Sequence, residues 1–589
     1  MIRFPWPEPG PYRRIVALAV LVTVSTALLL AHRYGNITLR IGDTDDAMRI
    51  VLVRDLLHGR GWYDQLVTRL QPPQGAWMHW SRLVDGGLAG FDWLLGRFLP
   101  AARAEWAMRF FWPLAWILPA TLAALVAARI VGTKGAAPLA ALLLALDQLP
   151  YIQFLPGRID HHNLQITLVL VALACGLARR RDALFAALAA LATAVGLAIG
   201  IEALVFHAVI GTAFALRFAF DRTSSRPALA YGAGLALGTI GVFCLQTPPA
   251  RWGLPQCDSM GLNLVAGLAA AGFGLAAAVV LTKSRAWPVR LAAVAAAGLV
   301  AAVVYVGLEP ICLKGPFALV DPRVGPFWLD RIQELRTLPA QFAWDRHAAL
   351  RFVVLGVMAL AASAWLLWDA RPRPSWRLGL LVALVCASLA IGYGALRMET
   401  YAYWFGLVII AVAAARLFEV RLRSAMIPSV LVTALLAPVF VTLAVDVVAN
   451  EAAPLKPGPH WPRDQCFDIA SYARLKTLPP GLVLAGIDEG PHILANTPHS
   501  VIAASYHRMW ASNLAAHQAF DAPPDKAEAA VRALHPDYVV DCYRIDQKLD
   551  PASFGERLRQ GVVPPWLEPL SAPSDVLRVY RVRPPKPAG

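Results

Sequence analysis

The sequence predicts a polytopic α-helical membrane protein with about thirteen transmembrane helices and a C-terminal soluble α/β domain. Of its 589 residues, 57% are hydrophobic and only 16% are charged, whereas soluble domains carry roughly 25% charged residues. Apolar runs of about 16 to 22 residues, the length needed to cross a bilayer, recur from Ile15 to about Val445. Beyond Asn450 these runs stop, and a proline-rich linker precedes alternating strand and helix patterns.

The apolar runs locate the predicted spans within the first 450 residues. The first run is not followed by a small-residue cleavage pattern, so we expect it to remain as a span rather than to be removed as a signal peptide. The spans are expected at about 15–32, 107–128, 136–150, 164–178, 183–199, 202–216, 228–245, 260–282, 289–307, 349–368, 378–396, 402–415 and 427–445.

Every second short connection between spans is basic, as in Arg129 with Lys134 and in Arg179–Arg181. Because basic loops are retained in the cytoplasm, these connections and the N-terminus are predicted to be cytoplasmic, in a cell inner (plasma) membrane. An odd number of spans then places the C-terminal segment in the periplasm or its equivalent. The basic connections between spans account for the net charge of +15. No patch of basic and aromatic residues indicates nucleic-acid binding.

The chain divides into a membrane domain, residues 1–450, and an outer domain, residues 451–589. The outer loops of the membrane domain are expected at about 33–106, 151–163 and 308–348, on the same side as the outer domain. In the outer domain, strands are predicted at Val483–Ile487, Ser500–Ala504 and Tyr538–Val540, and helices at Pro491–Asn496 and Lys526–Leu534. No Walker loop and no dinucleotide-binding fingerprint occur there.

An aspartate and two histidines stand together in the second outer loop, as Asp160, His161 and His162. Carboxylate oxygen and neutral imidazole nitrogen are ligands for divalent metals. A metal at the outer leaflet is placed to neutralise a phosphate leaving group. We therefore predict a site for Mn²⁺ or Mg²⁺ that includes Asp160 and His162.

A second acidic cluster, Asp43-Thr44-Asp45-Asp46, follows the first span. Residues 45–57 are predicted to form an amphipathic helix on the membrane surface. One carboxylate is enough to cap such a helix, and three are more than capping needs. Asp45 is the predicted catalytic base and a metal ligand, with Asp46 and Asp43 as alternatives. The aromatic cluster Trp77–Trp80 is expected to anchor the chain at the membrane interface.

The third outer loop begins with Gly-Pro and Asp-Pro pairs that forbid regular structure, and residues 328–335 predict a short helix. Glu334 on this helix is a predicted metal ligand, and a long mobile loop of this kind can close over a substrate. The alternative is that Glu334 only pairs with Arg331 or Arg336.

Charged residues near the outer ends of spans are functional candidates. Arg397, at the outer end of the eleventh span, can bind a phosphate through two hydrogen bonds. Glu202 and His207 in the sixth span rank lower, because they can satisfy each other. Three further candidates in the outer domain, for which a structural role is the alternative, are Tyr506, His507 and Arg508.

Four of the seven cysteines lie on the predicted outer side. An even number of cysteines in an oxidising compartment favours disulfides over free thiols. The predicted pairs are Cys257 with Cys312 and Cys466 with Cys542.

These motifs, in this order along the chain, resemble those of the GT-C glycosyltransferases, and specifically of the archaeal and bacterial single-subunit oligosaccharyltransferases. The resemblance covers the whole chain and implies about thirteen spans, a soluble outer domain and a lipid-linked sugar donor. It implies that Asp45 or Asp46 serves the metal and the acceptor, that Asp160 and His162 bind the metal, and that Arg397 contacts the donor pyrophosphate.

Two further correspondences complete the resemblance. The segment Arg331–Glu334 is similar to a Thr-Ile-x-Glu motif with its first position changed, and this resemblance implies that Glu334 is a metal ligand. His161 of the Asp-His-His motif is assigned with Arg397 to the donor phosphate. The family's Trp-Trp-Asp-x-Gly acceptor motif is missing, with 460–462 as the nearest fragment, and Gln165 stands where the second motif often ends in Glu.

The sequence therefore predicts a metal-dependent membrane glycosyltransferase that moves a sugar or oligosaccharide from a polyprenyl-(di)phosphate carrier to a glycan, lipid or protein acceptor. The missing acceptor motif favours a hydroxyl acceptor, which needs only a base. A transporter or flippase would show charges at the bilayer midplane and repeated halves, and neither pattern is evident. An envelope-assembly protein without catalysis explains the outer domain but not the gathered acids and imidazoles.

Overall fold

The computed structural model describes residues 11–37, 40–419, 426–435, 437–448, 462–542 and 549–585. Most of the predicted linker, including Pro454, Pro457 and Pro459, lies outside the described residues. The same holds for His460 and Trp461, the fragment nearest to the missing acceptor motif.

The chain opens with a long apolar helix and continues into a compact outer loop that contains two further helices and a small hairpin. These elements are α1 (Pro11–Tyr34), α2 (Thr44–Leu57), β1 (Leu66–Val67), β2 (Ala76–Trp77) and α3 (Arg82–Leu95). Strands β1 and β2 pair antiparallel.

A bundle of apolar helices follows. Its members are α4 (Ala101–Ala115), α5 (Ile117–Val131), α6 (Ala136–Leu146), α7 (His162–Gly176), α8 (Asp182–Ile199), α9 (Leu204–Phe220), α10 (Ser225–Gln246), α11 (Leu262–Thr282), α12 (Trp287–Leu308), α13 (Leu338–Trp344), α14 (Arg346–Asp369), α15 (Trp376–Gly394), α16 (Glu399–Leu417), α17 (Met426–Leu435) and α18 (Pro438–Val448).

Eleven of the thirteen predicted spans coincide with one helix each, and the spans at 107–128 and 427–445 each cover two, α4 with α5 and α17 with α18. Among the described residues, ten helices, with α4 and α5 counted as one, are long and apolar enough to cross a membrane, while α6 and α7 are shorter apolar helices. The last predicted span is divided into α17 and α18, and Pro438 begins the second half. The chain is a multi-pass membrane protein.

Small residues let helices of the bundle approach closely. A Cβ atom added to Gly234 or Gly238 of α10 would lie 3.1 or 3.3 Å from the Cβ atoms of Ala190 and Ala194 in α8. Close approach through small residues is the usual way in which helices pack within a membrane, where apolar contact alone provides no preference over lipid. Helix α16 is the most enclosed of these long helices, since 78% of the residues in its most apolar 18-residue stretch are buried. It forms the centre of the bundle.

The C-terminal segment forms a layered α/β unit around a five-stranded sheet. Its elements are α19 (Ala473–Lys476), β3 (Leu482–Leu484), α20 (Glu489–Asn496), β4 (Ser500–Val501), α21 (Trp510–Asp521), α22 (Pro524–Arg532), β5 (Tyr538–Cys542), α23 (Phe554–Arg559), β6 (Leu567–Pro569) and β7 (Leu577–Val582). The strand order is β4-β3-β5-β7-β6, with β3 parallel to β4 and β5. The five predicted elements are confirmed, and the antiparallel strands β6 and β7 were not predicted.

The outer loops and the C-terminal unit meet at one end of the bundle, which we call the site end. The phenol of Tyr506 donates a hydrogen bond of 3.3 Å to the carbonyl of Thr44, and Arg69 donates to the carbonyl of His499. The basic connections gather at the opposite end, where Arg179 donates to the carbonyl of Ile130. Acidic and histidine-rich loops therefore share one side, as predicted.

Helix α2 exists as predicted, but the prediction of an amphipathic surface helix was wrong. Its residues from Asp46 to Val53 are all buried, because α3 covers one side of it and α20 of the C-terminal unit covers another. Arg54 near its end donates to the carbonyl of Ala495 in α20 and pairs with Glu105 of α4. The helix is a buried link between the two parts of the chain.

The aromatic cluster Trp77–Trp80 is also packed inside the protein rather than placed as a membrane anchor. The ring of Trp80 is 7% exposed, lies under the guanidinium of Arg49 at 4.4 Å and meets Tyr506 edge to face at 5.5 Å. Residues 328–335, predicted as a short helix, form two short 3₁₀ turns, Leu329–Arg331 and Gln333–Leu335.

Both predicted disulfides are present. Cys257 is bonded to Cys312 and Cys466 to Cys542. The first bond joins the α10–α11 connection to the start of the third outer loop, and the second joins the start of the C-terminal unit to its strand β5.

Candidate active site at the site end of the bundle

The loop from Gly157 to Asn163 carries the Asp-His-His motif into the site and ends where α7 begins. Gly157 has φ of +92°, a conformation that side chains disfavour, and it lets the chain turn there. The carboxylate of Asp46 accepts hydrogen bonds from the backbone N–H groups of Ile159 (2.9 Å) and Asp160 (3.0 Å). Asp46, which is 1% exposed, therefore fixes the shape of the loop rather than facing a substrate.

Arg158 is the cation at the centre of the acidic residues, a role that the sequence analysis did not assign to it. Its guanidinium lies 2.5 Å from Asp43, 3.2 Å from Asp46 and 3.9 Å from Glu334. Asp43 also caps α2 by accepting from the N–H of Asp45, so capping explains one of the three aspartates. Burial raises the pKa of Asp46 to about 7, although Arg158 opposes the shift.

The carboxylate of Asp160 accepts hydrogen bonds on one oxygen only. Its Oδ1 lies 2.6 Å from Nδ1 of His161 and accepts from Arg49 at 3.4 Å. Its Oδ2 is buried without a hydrogen bond and lies 3.3 Å from Nε2 of His162. Burial opposes ionisation, but the two imidazoles hold the pKa of Asp160 well below its ordinary value.

A buried network supports Asp160 from behind. Arg49, fully buried, bonds Asp85 at 2.5 Å as well as Asp160, and Arg82 bonds the other oxygen of Asp85 at 3.1 Å. A buried charge that lacked such partners would be costly. The network therefore sets the position of the Asp160 carboxylate relative to α2 and α3.

Glu202, ranked low from the sequence, lies at the centre of the histidine side of the site. Its carboxylate is 3.3 Å from Nδ1 of His162, 3.9 Å from Nε2 of His161 and 3.0 Å from the guanidinium of Arg397. The expectation that Glu202 and His207 satisfy each other was wrong, since the hydrogen bond of His207 is to Thr193 at 3.1 Å.

Gln165 stands one turn into α7, where the family often has Glu. Its amide nitrogen donates to the carbonyl of Gly200 at 2.6 Å, and its oxygen is buried without a partner. Gly200 directly precedes the 3₁₀ turn that carries Glu202. Gln165 thus fixes the backbone beside Glu202.

Asp45 differs from its neighbours in facing the open space of the site. No described residue donates a hydrogen bond to its carboxylate, and burial together with the nearby Asp160 raises its pKa well above the ordinary value. Of the three aspartates, Asp43 and Asp45 line the cavity and Asp46 does not. Since Asp43 is engaged by Arg158, Asp45 is the carboxylate available to a ligand.

The cavity between the bundle, the third outer loop and the C-terminal unit has a volume of about 920 Å³. Its walls include most of the predicted site residues. These are Asp43, Asp45, His161, His162, Glu202, Glu334, Arg397, Tyr506 and His507.

The tripeptide Tyr506–Arg508 brings the C-terminal unit into the site region, as the sequence suggested. Tyr506 packs against Trp80 at the cavity wall. Arg508 forms a two-hydrogen-bond ion pair with Asp258 of the α10–α11 connection, at 2.7 and 2.8 Å.

Comparison with known proteins identifies the fold. No family model matches the sequence, and no curated protein matches it. The oligosaccharyltransferase AglB from Archaeoglobus fulgidus, solved with an inhibitory peptide and a dolichol-phosphate, matches with a TM-score of 0.69 at 16% identity, over 91% of this chain and 70% of that one.

The chain has the GT-C fold.

A second structure of the same AglB, in complex with Zn and sulfate, matches with a TM-score of 0.58 at 17% identity, over 90% of this chain and 68% of that one. The arabinofuranosyltransferase AftD from Mycobacteria matches at 16% identity with a TM-score of 0.46, over 97% of this chain and 40% of that one.

The residues that support this candidate site from behind were missed in the sequence analysis. Arg158 stands inside the Asp-His-His loop and carried a signal as the one cation among acids. Arg49 and Asp85 gave no signal, because they are separated from Asp160 by many residues and only the tertiary fold buries them together.

Proposed function

We propose that this chain is a membrane glycosyltransferase that moves a sugar or oligosaccharide from a polyprenyl-(di)phosphate carrier to an acceptor at the extracytoplasmic face. One observation carries the proposal: a single cavity is lined by the carboxylate of Asp45, the imidazole of His162 and the guanidinium of Arg397, and Asp160 lies behind His162 with its Oδ2 3.3 Å from Nε2. This set combines a base, divalent-metal ligands and a phosphate partner.

The structural likeness supports the donor half of the proposal. AglB has been solved with a dolichol-phosphate and with Zn and sulfate. A protein with the same fold thus binds a lipid phosphate and a divalent cation. The proposed donor and cation for this chain are of the same chemical kinds.

The candidate metal ligands of the site fit Mn²⁺ or Mg²⁺. The oxygen Oδ2 of Asp160 is buried without a hydrogen bond, and Asp45 presents a second free carboxylate to the cavity. These two side chains and His162 would hold the ion, and Glu334 would join them after leaving Arg158, from which it lies 3.9 Å. When bound, the metal supplies positive charge that neutralises the leaving phosphate.

Arg397 is the proposed phosphate-binding residue, and Glu202 positions it. The guanidinium of Arg397 pairs with Glu202 at 3.0 Å, its one ion pair among the described residues, and lines the cavity. Glu202 thereby holds Arg397 and His162 toward the same space. Arg397, with His161 beside it, would bind the donor phosphate through its remaining N–H groups.

Asp45 is the proposed base for the acceptor. A carboxylate whose pKa is raised by burial is a stronger base than an ordinary one, and proton removal from a hydroxyl acceptor is most effective near the working pH. The acceptor is a glycan, a lipid or a protein hydroxyl. The two disulfides support an oxidising, extracytoplasmic location for the site end.

The test is turnover of a short-chain polyprenyl-diphosphate sugar by purified protein in detergent, with and without Mn²⁺ or Mg²⁺. Asp160→Ala should reduce turnover by at least about 100-fold, since changing even an outer partner of a metal ligand costs 10- to 100-fold. Asp321→Asn is the matched control, because Asp321 is a loop carboxylate paired only locally with Arg323. Metal-independent turnover, or equal turnover in both variants, would contradict the proposal.

A further inference from the structure

A second cluster of metal-type ligands lies at the site end and shares no residue with the first. It consists of His79, just after β2, Asp258, in the α10–α11 connection, and His507, in the C-terminal unit. One ligand atom from each side chain lies within 4.8 Å of the other two. Three segments far apart in the sequence thus bring two imidazoles and a carboxylate to one point.

One member of the cluster, His79, has a ring nitrogen without a hydrogen-bond partner. Nε2 of His507 lies within hydrogen-bond distance of Oδ2 of Asp258, at 2.7 Å. Nδ1 of His79 is buried and has no hydrogen-bond partner, although its ring centroid lies only 4.6 Å from that of His507. Buried ring nitrogens normally have a hydrogen-bond partner. Nδ1 of His79 has none among the described residues, which leaves it available to a ligand from outside the protein.

The carboxylate is held in place by an outer partner. Arg508 binds both oxygens of Asp258, at 2.7 and 2.8 Å, and also donates to Oε1 of Gln256 at 2.7 Å. Carboxylates that bind metals are typically oriented by such hydrogen bonds. Oδ2 of Asp258 also lies 2.7 Å from Nε2 of His507, so a bound ion would take the place of this hydrogen bond.

The three segments are fixed by bonds other than those of the cluster. The neighbour of Asp258, Cys257, is bonded to Cys312. Arg508 also donates to the carbonyl of Trp77, two residues before His79. The ligand atoms are therefore held in place without requiring an ion to gather them.

We propose that His79, Asp258 and His507 bind one Zn²⁺ ion that clips the C-terminal unit to the membrane domain. Two imidazole nitrogens and one carboxylate oxygen match the ligands of zinc, and the fourth position would take water from the cavity that all three residues line. Zinc would replace the hydrogen bond between His507 and Asp258, because a metal ligand must be deprotonated at the atom that binds. The ion would link the first outer loop, the α10–α11 connection and the C-terminal unit.

The experiment measures zinc bound to purified protein by mass spectrometry of the metal, after equilibration with zinc and removal of loose metal. Asp160→Ala, which removes the other candidate site, should keep about one zinc per chain. His79→Ala and His507→Ala in that background should lose it. His58→Ala is the matched control, because His58 is exposed and bonds only its own helix carbonyl, from Arg54.

Thermal unfolding provides a second readout that needs no active enzyme. Zinc should raise the unfolding temperature of metal-free Asp160→Ala protein, whereas magnesium should not, and His507→Ala should abolish the response. Absence of zinc from Asp160→Ala, or retention of zinc by folded His79→Ala and His507→Ala chains in that background, overturns the proposal. If the histidine variants do not fold, the zinc response of the Asp160→Ala protein decides, and no result here depends on glycosyl transfer.

Discussion

Asp45 and Asp46 are adjacent in sequence, but the structure gives them opposite roles, which substitution can separate. Asp46 accepts from two backbone N–H groups of the Asp-His-His loop, at 2.9 and 3.0 Å, and pairs with Arg158 at 3.2 Å. No described residue donates to the carboxylate of Asp45, which faces the cavity. Replacing Asp46 should therefore unfold the loop, whereas replacing Asp45 should only remove a functional group.

The expected size follows from the bonds that are lost. Asp46→Ala leaves two buried N–H groups without an acceptor, each costing about 1–3 kcal/mol, so the free energy of unfolding should fall by about 2–6 kcal/mol. Asp46→Asn keeps one oxygen for both N–H groups and loses mainly the charge paired with Arg158, so its loss should be smaller. Asp45→Ala removes a carboxylate that Asp160 repels, so stability should be unchanged or slightly higher.

The assay combines thermal unfolding in detergent with donor turnover for the three variants. Asp46→Ala should have the lowest unfolding temperature and Asp46→Asn an intermediate one. Wild type and Asp45→Ala should unfold at the highest temperatures. Turnover should vanish in Asp45→Ala despite normal unfolding. Equal destabilisation by Asp45→Ala and Asp46→Ala, or wild-type turnover in Asp45→Ala, would refute the division of roles.

Two further changes test other parts of the structure. Glu202→Gln should weaken the hold on Arg397 and His162 and lower turnover about 10- to 100-fold at limiting donor, and wild-type kinetics would contradict this. Glu489, fully buried in α20, has a pKa raised to about 8 by burial and by Asp488. Because the unfolded chain ionises near 4.5 while the folded protein keeps this acid neutral, stability falls as pH rises between these values. Glu489→Gln should therefore gain stability over wild type from pH 5 to pH 8, by at most about 5 kcal/mol, and parallel unfolding curves at the two pH values would contradict this.

The local sequence was sufficient for elements whose pattern is repeated or chemically distinct. The predicted spans coincide with helices because apolar length is set by the bilayer, not by neighbours in the fold. Both disulfides were predicted from an even number of cysteines on one side. The strands β3, β4 and β5 followed from short apolar runs, while β6 and β7 were missed.

The sequence-based predictions were wrong where a segment distant in sequence determines the surroundings of a residue. Helix α2 was expected on the membrane surface, but α20, more than 400 residues later, covers it and makes it a buried link. Glu202 and His207 were expected to pair, but the partners of Glu202 come from α7 and from Arg397. A helical pattern records which residues are apolar, but not which later segment packs on them.

The sequence by itself determined the class of this protein, the approximate positions of its spans and the residue types of its candidate site. These properties depend on composition and spacing, which act locally. Only the tertiary structure decided which carboxylate faces the cavity and which holds a loop, because that depends on contacts such as those of Asp46 with residues 159 and 160. It also brought His79, Asp258 and His507 together, since three side chains separated by more than 170 residues at each step share no local pattern.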